Sequence, residues 1–152
     1  MILLLVVFKN LIYSLIIFEI ILALITSFSP GPKYYQSLVQ SPEISPSDKQ
    51  ISLDLHRSFP RNVYFNSDNG TKVPVLQRIL VAFSLHNRAI GYCQGMNMIA
   101  GMLLFLLDEE TAFWGLVAIL EMIMPSGYYN TDLLAARADQ IIFQVNFLSF
   151  HS

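Results

Sequence analysis

Hydrophobic positions along this chain follow two patterns, a continuous apolar run at the start and spaced repeats after it. Residues 1 to 29 read MILLLVVFKNLIYSLIIFEIILALITSFS, which is longer than the roughly 20 residues that a helix needs to span a bilayer. Only Lys9 and Glu19 interrupt the run with charge. An acid within a span costs about 2.5–3.5 kcal/mol on insertion scales, and the surrounding Leu, Ile and Phe offset that cost. The run therefore predicts a membrane-spanning or membrane-buried helix.

Other interpretations of residues 1 to 29 stay open. A cleaved signal peptide fits less well, because no positive region precedes the apolar run and no small-residue cleavage site follows it. A buried core helix, or an extension with no membrane role, would give the same composition. If the helix inserts, we expect the chain on the cytosolic face of a membrane, and otherwise in the cytoplasm.

After Pro30-Gly31-Pro32 the apolar spacing becomes helical, so a boundary is predicted there. We expect a linker with one short helix over residues 30 to 46. Ser45-Pro46-Ser47-Asp48 then favours a helix start, with Ser45 as N-cap and proline at the first helical position. This helix is predicted to reach about Ser58. Its buried stripe consists of residues at four-residue spacing, namely Ile51, Leu55 and Phe59.

Asp54 and Arg57 lie three residues apart on the adjoining face of that helix. One interpretation is a surface ion pair worth about 0.2–0.5 kcal/mol. The other is that Asp54 orients the guanidinium of Arg57 so that it can meet an anion.

Three more helices follow from apolar periodicity and end signals. The first begins at Pro74 and ends near His86-Asn87, the second begins at Met96, and the third has the acidic start Asp108 to Thr111. We expect Trp114 to anchor the core, and Met98 with Met102 to fill it. A further helix is predicted through residues 131 to 140. No alternating strand pattern occurs, so the predicted fold class is all-α.

A glycine-flanked loop, Ile90 to Asn97, separates the first two of these helices. Gly91 and Gly95 permit positive φ and let another surface approach the backbone, so the loop can present Gln94. The alternative is an ordinary turn between helices, with Gly95 as a cap and Gln94 in water.

Charge and cysteine content narrow the function classes. The 152 residues carry a formal net charge of -2 with scattered Lys and Arg, so nucleic-acid binding is not expected. The lone Cys93 fits a reducing compartment. No metal site is predicted, because His56, His86 and His151 share no ligand spacing.

Two motifs together go beyond generic helix chemistry. They are Ile51-x-x-Asp54-x-x-Arg57 followed by Phe59-Pro60, and Gly91-Tyr92-Cys93-Gln94-Gly95-Met96-Asn97. In order around them stand Arg78-Ile79-Leu80, Glu109-Glu110-Thr111-Ala112-Phe113-Trp114, Pro125-x-Gly127-Tyr128-Tyr129 and Asp139-Gln140. The combination resembles the TBC-domain family of GTPase-activating proteins for Rab GTPases. It covers about residues 33 to 140 and looks most like the growth-hormone-regulated type.

The resemblance implies an all-helical domain that acts on GTP bound to a Rab partner. Arg57 would be an arginine finger and Gln94 a glutamine finger. Such residues suit phosphoryl transfer, because a planar guanidinium stabilises charge on oxygens and an amide can hold the attacking water. The resemblance also implies no cofactor of the chain's own, since GTP and magnesium belong to the partner.

The supporting residues implied by the resemblance surround the two fingers. Asp54 would orient Arg57, and Gly91 with Gly95 would shape the loop that presents Gln94. Tyr92 and Asn97 are expected to stabilise the loop and not to touch nucleotide.

The resemblance also implies a departure from a full domain of this family, and we expect it at both ends of the chain. The predicted organisation is a candidate membrane segment over 1–29, a linker over 30–46, the N-terminal half of a TBC domain over 47–140 and a divergent tail over 141–152. We expect the missing second lobe to impair activation. The alternatives are a non-catalytic, membrane-tethered Rab-binding module or decoy, and a non-functional truncated isoform.

Overall fold

The computed structural model describes residues 33–65, 70–125 and 127–129, together with Glu19, Ala23 and Gly31. Between residues 31 and 129 the described chain forms five α-helices and a π-helix, without a strand. The helices are α1 (Tyr34–Val39), α2 (Asp48–Leu55), α3 (Val73–His86), α4 (Met96–Leu106) and α5 (Glu109–Ala118), and the π-helix is Ile119–Ile123. The all-α prediction is confirmed for this part of the chain.

The predicted membrane helix lies outside the described residues, apart from Glu19 and Ala23. Among the residues that are described, none of the helices combines the length and the apolar character needed to cross a bilayer. The predicted helix over residues 131 to 140 also lies outside the described part.

Helix α3 is the centre of the described fold, because it packs against each of the other four α-helices. Its apolar face, predicted from 3.6-residue spacing, is buried at Leu76, Ile79, Leu80 and Phe83. Helix α5 is buried from Ala112 through Ala118, so it has no polar face beyond its first turn, as expected of an interior helix. Trp114 lies in this buried stretch, which confirms it as a core residue.

Helix α2 is shorter at both ends than the sequence predicts. It begins at Asp48 after an N-cap, Ser47, that makes no side-chain cap bond. Ser45 is not the N-cap: its hydroxyl accepts from the Ser47 amide at 3.0 Å and pairs with the Ser84 hydroxyl at 2.6 Å, which fastens the turn to α3.

The C-terminal end of α2 has a separate cause. Arg57 and Ser58 donate their amides to carbonyls three residues earlier, a tight final turn, and Phe59 then adopts a φ of 49°. A residue before proline is disfavoured in the α region, so the helix cannot continue into Pro60. Phe59 therefore lies outside the helix and is only half-buried.

The expectation that Met98 and Met102 fill the core is wrong. Their exposed fractions are 40% and 54%, and they lie on the outer face of α4. The inner face is occupied by residues at four-residue spacing, Met96, Ala100 and Leu104. Because α4 is apolar on nearly all sides, its inner and outer faces could not be separated by hydrophobicity.

Helix α5 begins as its sequence predicts. Asp108 is the N-cap, and its carboxylate accepts from the amide of Thr111 at 3.1 Å and from its hydroxyl at 2.7 Å. These bonds, led by that of the hydroxyl, hold the pKa of Asp108 below its ordinary value. After Ala118 the helix widens into the π-helix instead of continuing as an α-helix towards Met122.

Candidate functional site

The loop between α3 and α4 presents Gln94 to solvent. Gly91 has a φ of 63° and Gly95 a φ of 101°, a region in which glycine has no steric cost. A Cβ on Gly95 would meet no atom within 4 Å, and one on Gly91 would be 3.6 Å from the Ser47 hydroxyl. The two glycines are therefore required by backbone conformation and not by lack of space.

Arg57 and Gln94 lie at the same cleft, although 37 positions separate them in the chain. The cleft has a volume of about 220 Å³ and is lined by Arg57, Gln94, Gly95, Asn97 and Met98. The fold thus brings together the end of α2 and the N-terminal end of α4. Both candidate finger residues are available at one surface.

Asp54 is the buried acceptor that connects these two segments. One of its carboxylate oxygens, Oδ1, accepts from Gln50 Nε2 at 3.1 Å and from Arg57 Nη2. The other, Oδ2, accepts from the Tyr92 hydroxyl at 2.7 Å. Asp54 is 0% exposed, whereas the Arg57 side chain is 55% exposed. The pair is therefore not an exposed surface pair: its acid is buried, and the side chain of its arginine is more than half exposed.

Tyr92 is a neutral hydrogen-bond donor in this arrangement. Burial, and then the hydrogen bond to Asp54, raise the pKa of Tyr92 above its ordinary value of 10.0. A tyrosinate would place a second negative charge against the buried carboxylate, which is unfavourable. Tyr92 therefore ties the loop to α2 at neutral pH.

A second connection runs through Ser58 and Asn97, which are both buried. The Ser58 hydroxyl donates to the Asp54 carbonyl at 2.7 Å and accepts from Asn97 Nδ2 at 2.7 Å. Asn97 Oδ1 accepts from the Gly95 amide at 3.1 Å. This chain of bonds joins the residue after Arg57 to the residue after Gln94.

Gln50 and Ser58 are site residues that the motif reasoning missed. Both lie four positions from Asp54, one on each side. Residues at this spacing share a helix face, and a serine there often donates back to the earlier carbonyl. That spacing could have indicated that Gln50 and Ser58 bond to Asp54. The burial that makes the bonds of Gln50 and Ser58 to Asp54 important was not visible in the local sequence.

Cys93 precedes Gln94 but offers no reactive thiolate. Its thiol is partly buried, and burial raises the pKa of this thiol above its ordinary value. The Cys93 amide donates to the Met96 sulfur at 3.3 Å. Because the thiolate is the nucleophilic form, Cys93 acts in the loop as a packing residue.

Comparison with protein families identifies one matching domain. The Rab-GTPase-TBC domain matches residues 25–151, a span wider at both ends than the stretch from 33 to 140 in which the motifs occur. The match includes all seven of the residues singled out from the motifs, which are Asp54, Arg57, Gly91, Tyr92, Gln94, Gly95 and Asn97.

Individual proteins show the same likeness. TBC1 domain family member 2A of Ailuropoda melanoleuca is 45% identical over 117 residues, which cover 75% of this chain and 13% of that protein. Member 2B of Xenopus tropicalis is 44% identical over 116 residues, which cover 75% of this chain and 12% of that protein. The chain thus matches only about an eighth of the length of these relatives.

A solved structure agrees with the fold. The crystal structure of the Chlamydomonas flagellar RabGAP TBC domain superposes with a TM-score of 0.59 at 38% sequence identity. The superposition covers 64% of this chain and 33% of that one, so part of a TBC domain is matched. The family resemblance is confirmed, whereas the narrower likeness to the growth-hormone-regulated type stays a prediction. On the match over residues 25–151, the chain belongs to the Rab-GTPase-TBC domain family.

Proposed function

We propose that this chain accelerates GTP hydrolysis on a Rab-type small GTPase, with Arg57 and Gln94 acting in trans as arginine and glutamine fingers. The observation that supports this most directly is the shared cleft, which is lined by both residues. The partner supplies the nucleotide and its Mg²⁺, so the chain needs no cofactor of its own.

Arg57 suits transition-state stabilisation because its guanidinium is anchored on one side only. Its Nη2 group contacts the buried Asp54 carboxylate, and a guanidinium has five N–H donors in a fixed fork. The remaining donors can meet phosphate oxygens. An arginine finger supplied in trans raises the rate of GTP hydrolysis by a factor of about 10³–10⁵.

Gln94 suits the positioning of water because its side chain is neutral and exposed. An amide offers a carbonyl acceptor and two N–H donors, so one group can accept from the attacking water and donate to a phosphate oxygen. Tyr92 holds the loop to α2, and Asn97 holds it to the turn that follows α2. A rigid loop limits the motion of an amide that must hold water in line with the phosphate.

The test is phosphate release from a panel of GTP-loaded Rabs with the parent chain and its variants. We expect Arg57→Ala to lower the acceleration by about 10³-fold or more, and Gln94→Ala by about 10²–10³-fold. Arg57→Lys retains the charge but loses the planar fork, so it should recover only part of the activity.

Arg88→Ala is the matched control for charge. Arg88 is also an exposed arginine, but it pairs with Glu43 at 2.6 Å and does not line the cleft, so its loss should leave the rate unchanged. The proposal is contradicted if the folded parent accelerates hydrolysis on none of the Rabs. Nucleotide-dependent binding without faster hydrolysis would favour a non-catalytic Rab-binding module.

A further inference from the structure

The loop that carries Gln94 is also held at its other end, by a pair of residues that no motif includes. We infer that Asn87 and Glu121 are positioning residues for Gln94, and that the π-helix after α5 places Glu121 for this role. The inference rests on the proposed function and names additional residues on which it depends.

Asn87 shapes the first residues of the loop through both its backbone and its side chain. It is the C-cap of α3, with φ −121° and ψ 86°. Its carbonyl accepts from the Gly91 amide at 2.7 Å, and its Oδ1 accepts from the Ile90 amide at 3.1 Å. Asn87 thus determines where the chain turns before it reaches Gln94.

Glu121 fixes the orientation of the Asn87 amide. Asn87 Nδ2 donates to Glu121 Oε1 at 2.7 Å, so Oδ1 must face the loop. The same carboxylate oxygen lies 3.4 Å from His86 Nε2, and the other ring nitrogen of His86 lies 2.9 Å from the Tyr34 hydroxyl. The carboxylate therefore lies beside the last residue of α3, His86, and beside its C-cap, Asn87.

The π-helix gives Glu121 its direction. Met124 donates its amide to the Ile119 carbonyl, five residues earlier, at 2.9 Å. Backbone hydrogen bonds in α5 join residues four apart, whereas this one joins residues five apart. The side chains after Ala118 therefore have directions different from those in a continued α-helix. Short π-helical turns occur frequently at functional sites.

The two ends of the loop have complementary anchors. Tyr92 holds the loop to α2 and Asn97 holds it to the turn that follows α2, whereas Asn87 and Glu121 hold its beginning to the π-helix after α5. With the second anchor lost, the segment from Ile90 to Gln94 is fixed from one side only. A displacement of about 1 Å at a reacting group can cost about 10²-fold in rate, so a modest shift of Gln94 should be measurable.

The experiment measures kcat and KM for a GTP-loaded Rab that the parent chain activates. We expect Asn87→Ala and Glu121→Ala to lower kcat by about 10-fold to 10²-fold with little change in KM, as for a displaced catalytic group. Glu121→Gln retains an oxygen that can accept from Asn87, so it should keep most of the activity.

A double-mutant cycle separates positioning from general stability. If Asn87 acts through Gln94, then Asn87→Ala should add no further loss in a Gln94→Ala background, where Arg57 still supplies residual activity. Arg88→Ala is the neighbouring control, and it should leave kcat unchanged in both backgrounds. Thermal unfolding of each variant reports whether it is folded.

Equal losses from Asn87→Ala in the two backgrounds would overturn the inference while leaving the proposed function intact. A parent that activates no Rab would overturn the proposed function and the inference with it. If Asn87→Ala fails to fold, the exposed Glu121 contact carries the test. Equal activity of Glu121→Ala and Glu121→Gln would then contradict the inference.

Discussion

At the scale of single residues, the site depends on how a buried carboxylate is satisfied. Asp54 is fully buried and accepts side-chain bonds from Gln50, Arg57 and Tyr92. A buried charge without such partners would cost several kcal/mol. The same bonds also orient Arg57 and hold the Gln94 loop, so stability and geometry share one set of contacts.

Tyr92→Phe is expected to lower the free energy of unfolding by about 1.5–3 kcal/mol, because a hydrogen bond to a charged group is lost in the interior. Urea unfolding at neutral pH measures the change. Tyr64→Phe is the matched control. Tyr64 is 52% exposed, so loss of its hydroxyl should change the free energy of unfolding by less than about 0.5 kcal/mol. Equally small changes in both variants would show that the Tyr92 bond to Asp54 adds nothing to stability.

At the scale of elements, the close approach of the end of α2 to α4 depends on Gly101 and on the aromatic ring of Phe59. The Phe59 ring lies over Gly101 of α4, where a Cβ would overlap it. Phe65 and Phe105 flank the ring with centroid distances of 5.3 Å each. The ring cannot simply rotate away, because these neighbours confine it. Gly101 therefore allows the residues after Arg57 to lie close to α4.

Gly101→Ala has two opposing effects. Alanine favours a helix over glycine by about 1 kcal/mol, whereas overpacking costs about 1–3 kcal/mol. We expect overpacking to dominate, with a net loss of up to about 2 kcal/mol in urea unfolding. In a Phe59→Ala background the overlap is gone, so the same substitution should stabilise by up to about 1 kcal/mol. A stabilising effect in both backgrounds would mean that the ring does not confine this position.

At the scale of the whole described fold, Glu109 joins helices that are distant in sequence. Its carboxylate accepts from the Tyr35 hydroxyl of α1 at 2.7 Å, and from Arg78 Nε and Nη2 of α3 at 2.7 Å and 2.6 Å. Bidentate contacts of this kind are among the stronger polar interactions. Glu109 lies at the first position of α5, so a single side chain connects α1, α3 and α5.

The charge of Glu109 should make stability depend on pH. The hydrogen bond from Arg78, and less strongly that from Tyr35, lower the pKa of Glu109 from its ordinary value of 4.5. A depressed pKa means that the stabilisation is present above pH 4.5 and is lost as the pH falls through the lower, folded-state value.

Urea unfolding of the parent and of Glu109→Gln, at neutral pH and at about pH 3, measures this effect. The difference in unfolding free energy between the two chains should shrink below pH 4.5, because Glu109 of the unfolded parent takes up a proton there and the stabilisation by its charge decreases. The other acidic residues are present in both chains, so the difference between the two unfolding free energies reports the contribution of Glu109. A difference that stays constant between the two pH values would contradict the prediction.

Local pattern predicted the features that depend on neighbouring residues. Examples are the acidic helix start at Asp108 to Thr111, the buried face of α3 and the glycine-shaped loop around Gln94. It could not predict features that depend on distant partners, such as the burial of Asp54 beneath Tyr92 or the contact of Asn87 with Glu121. The outer position of Met98 was also hidden, because α4 is apolar on most sides and gives no contrast between its faces.

The π-helix has a consequence for how relatives of this chain are aligned. A turn with five-residue bonding holds one residue more than the α-helical register, so a single insertion or deletion between Ile119 and Ile123 can create or remove it. Each residue of an α-helix turns by about 100°. A relative with one residue fewer here would carry the counterpart of Glu121 on another side of the helix, even where the aligned letter is unchanged. The position of a gap in the alignment of this turn thus distinguishes two kinds of relatives. Some keep the contact of Glu121 with Asn87, and others keep only a glutamate at the aligned position.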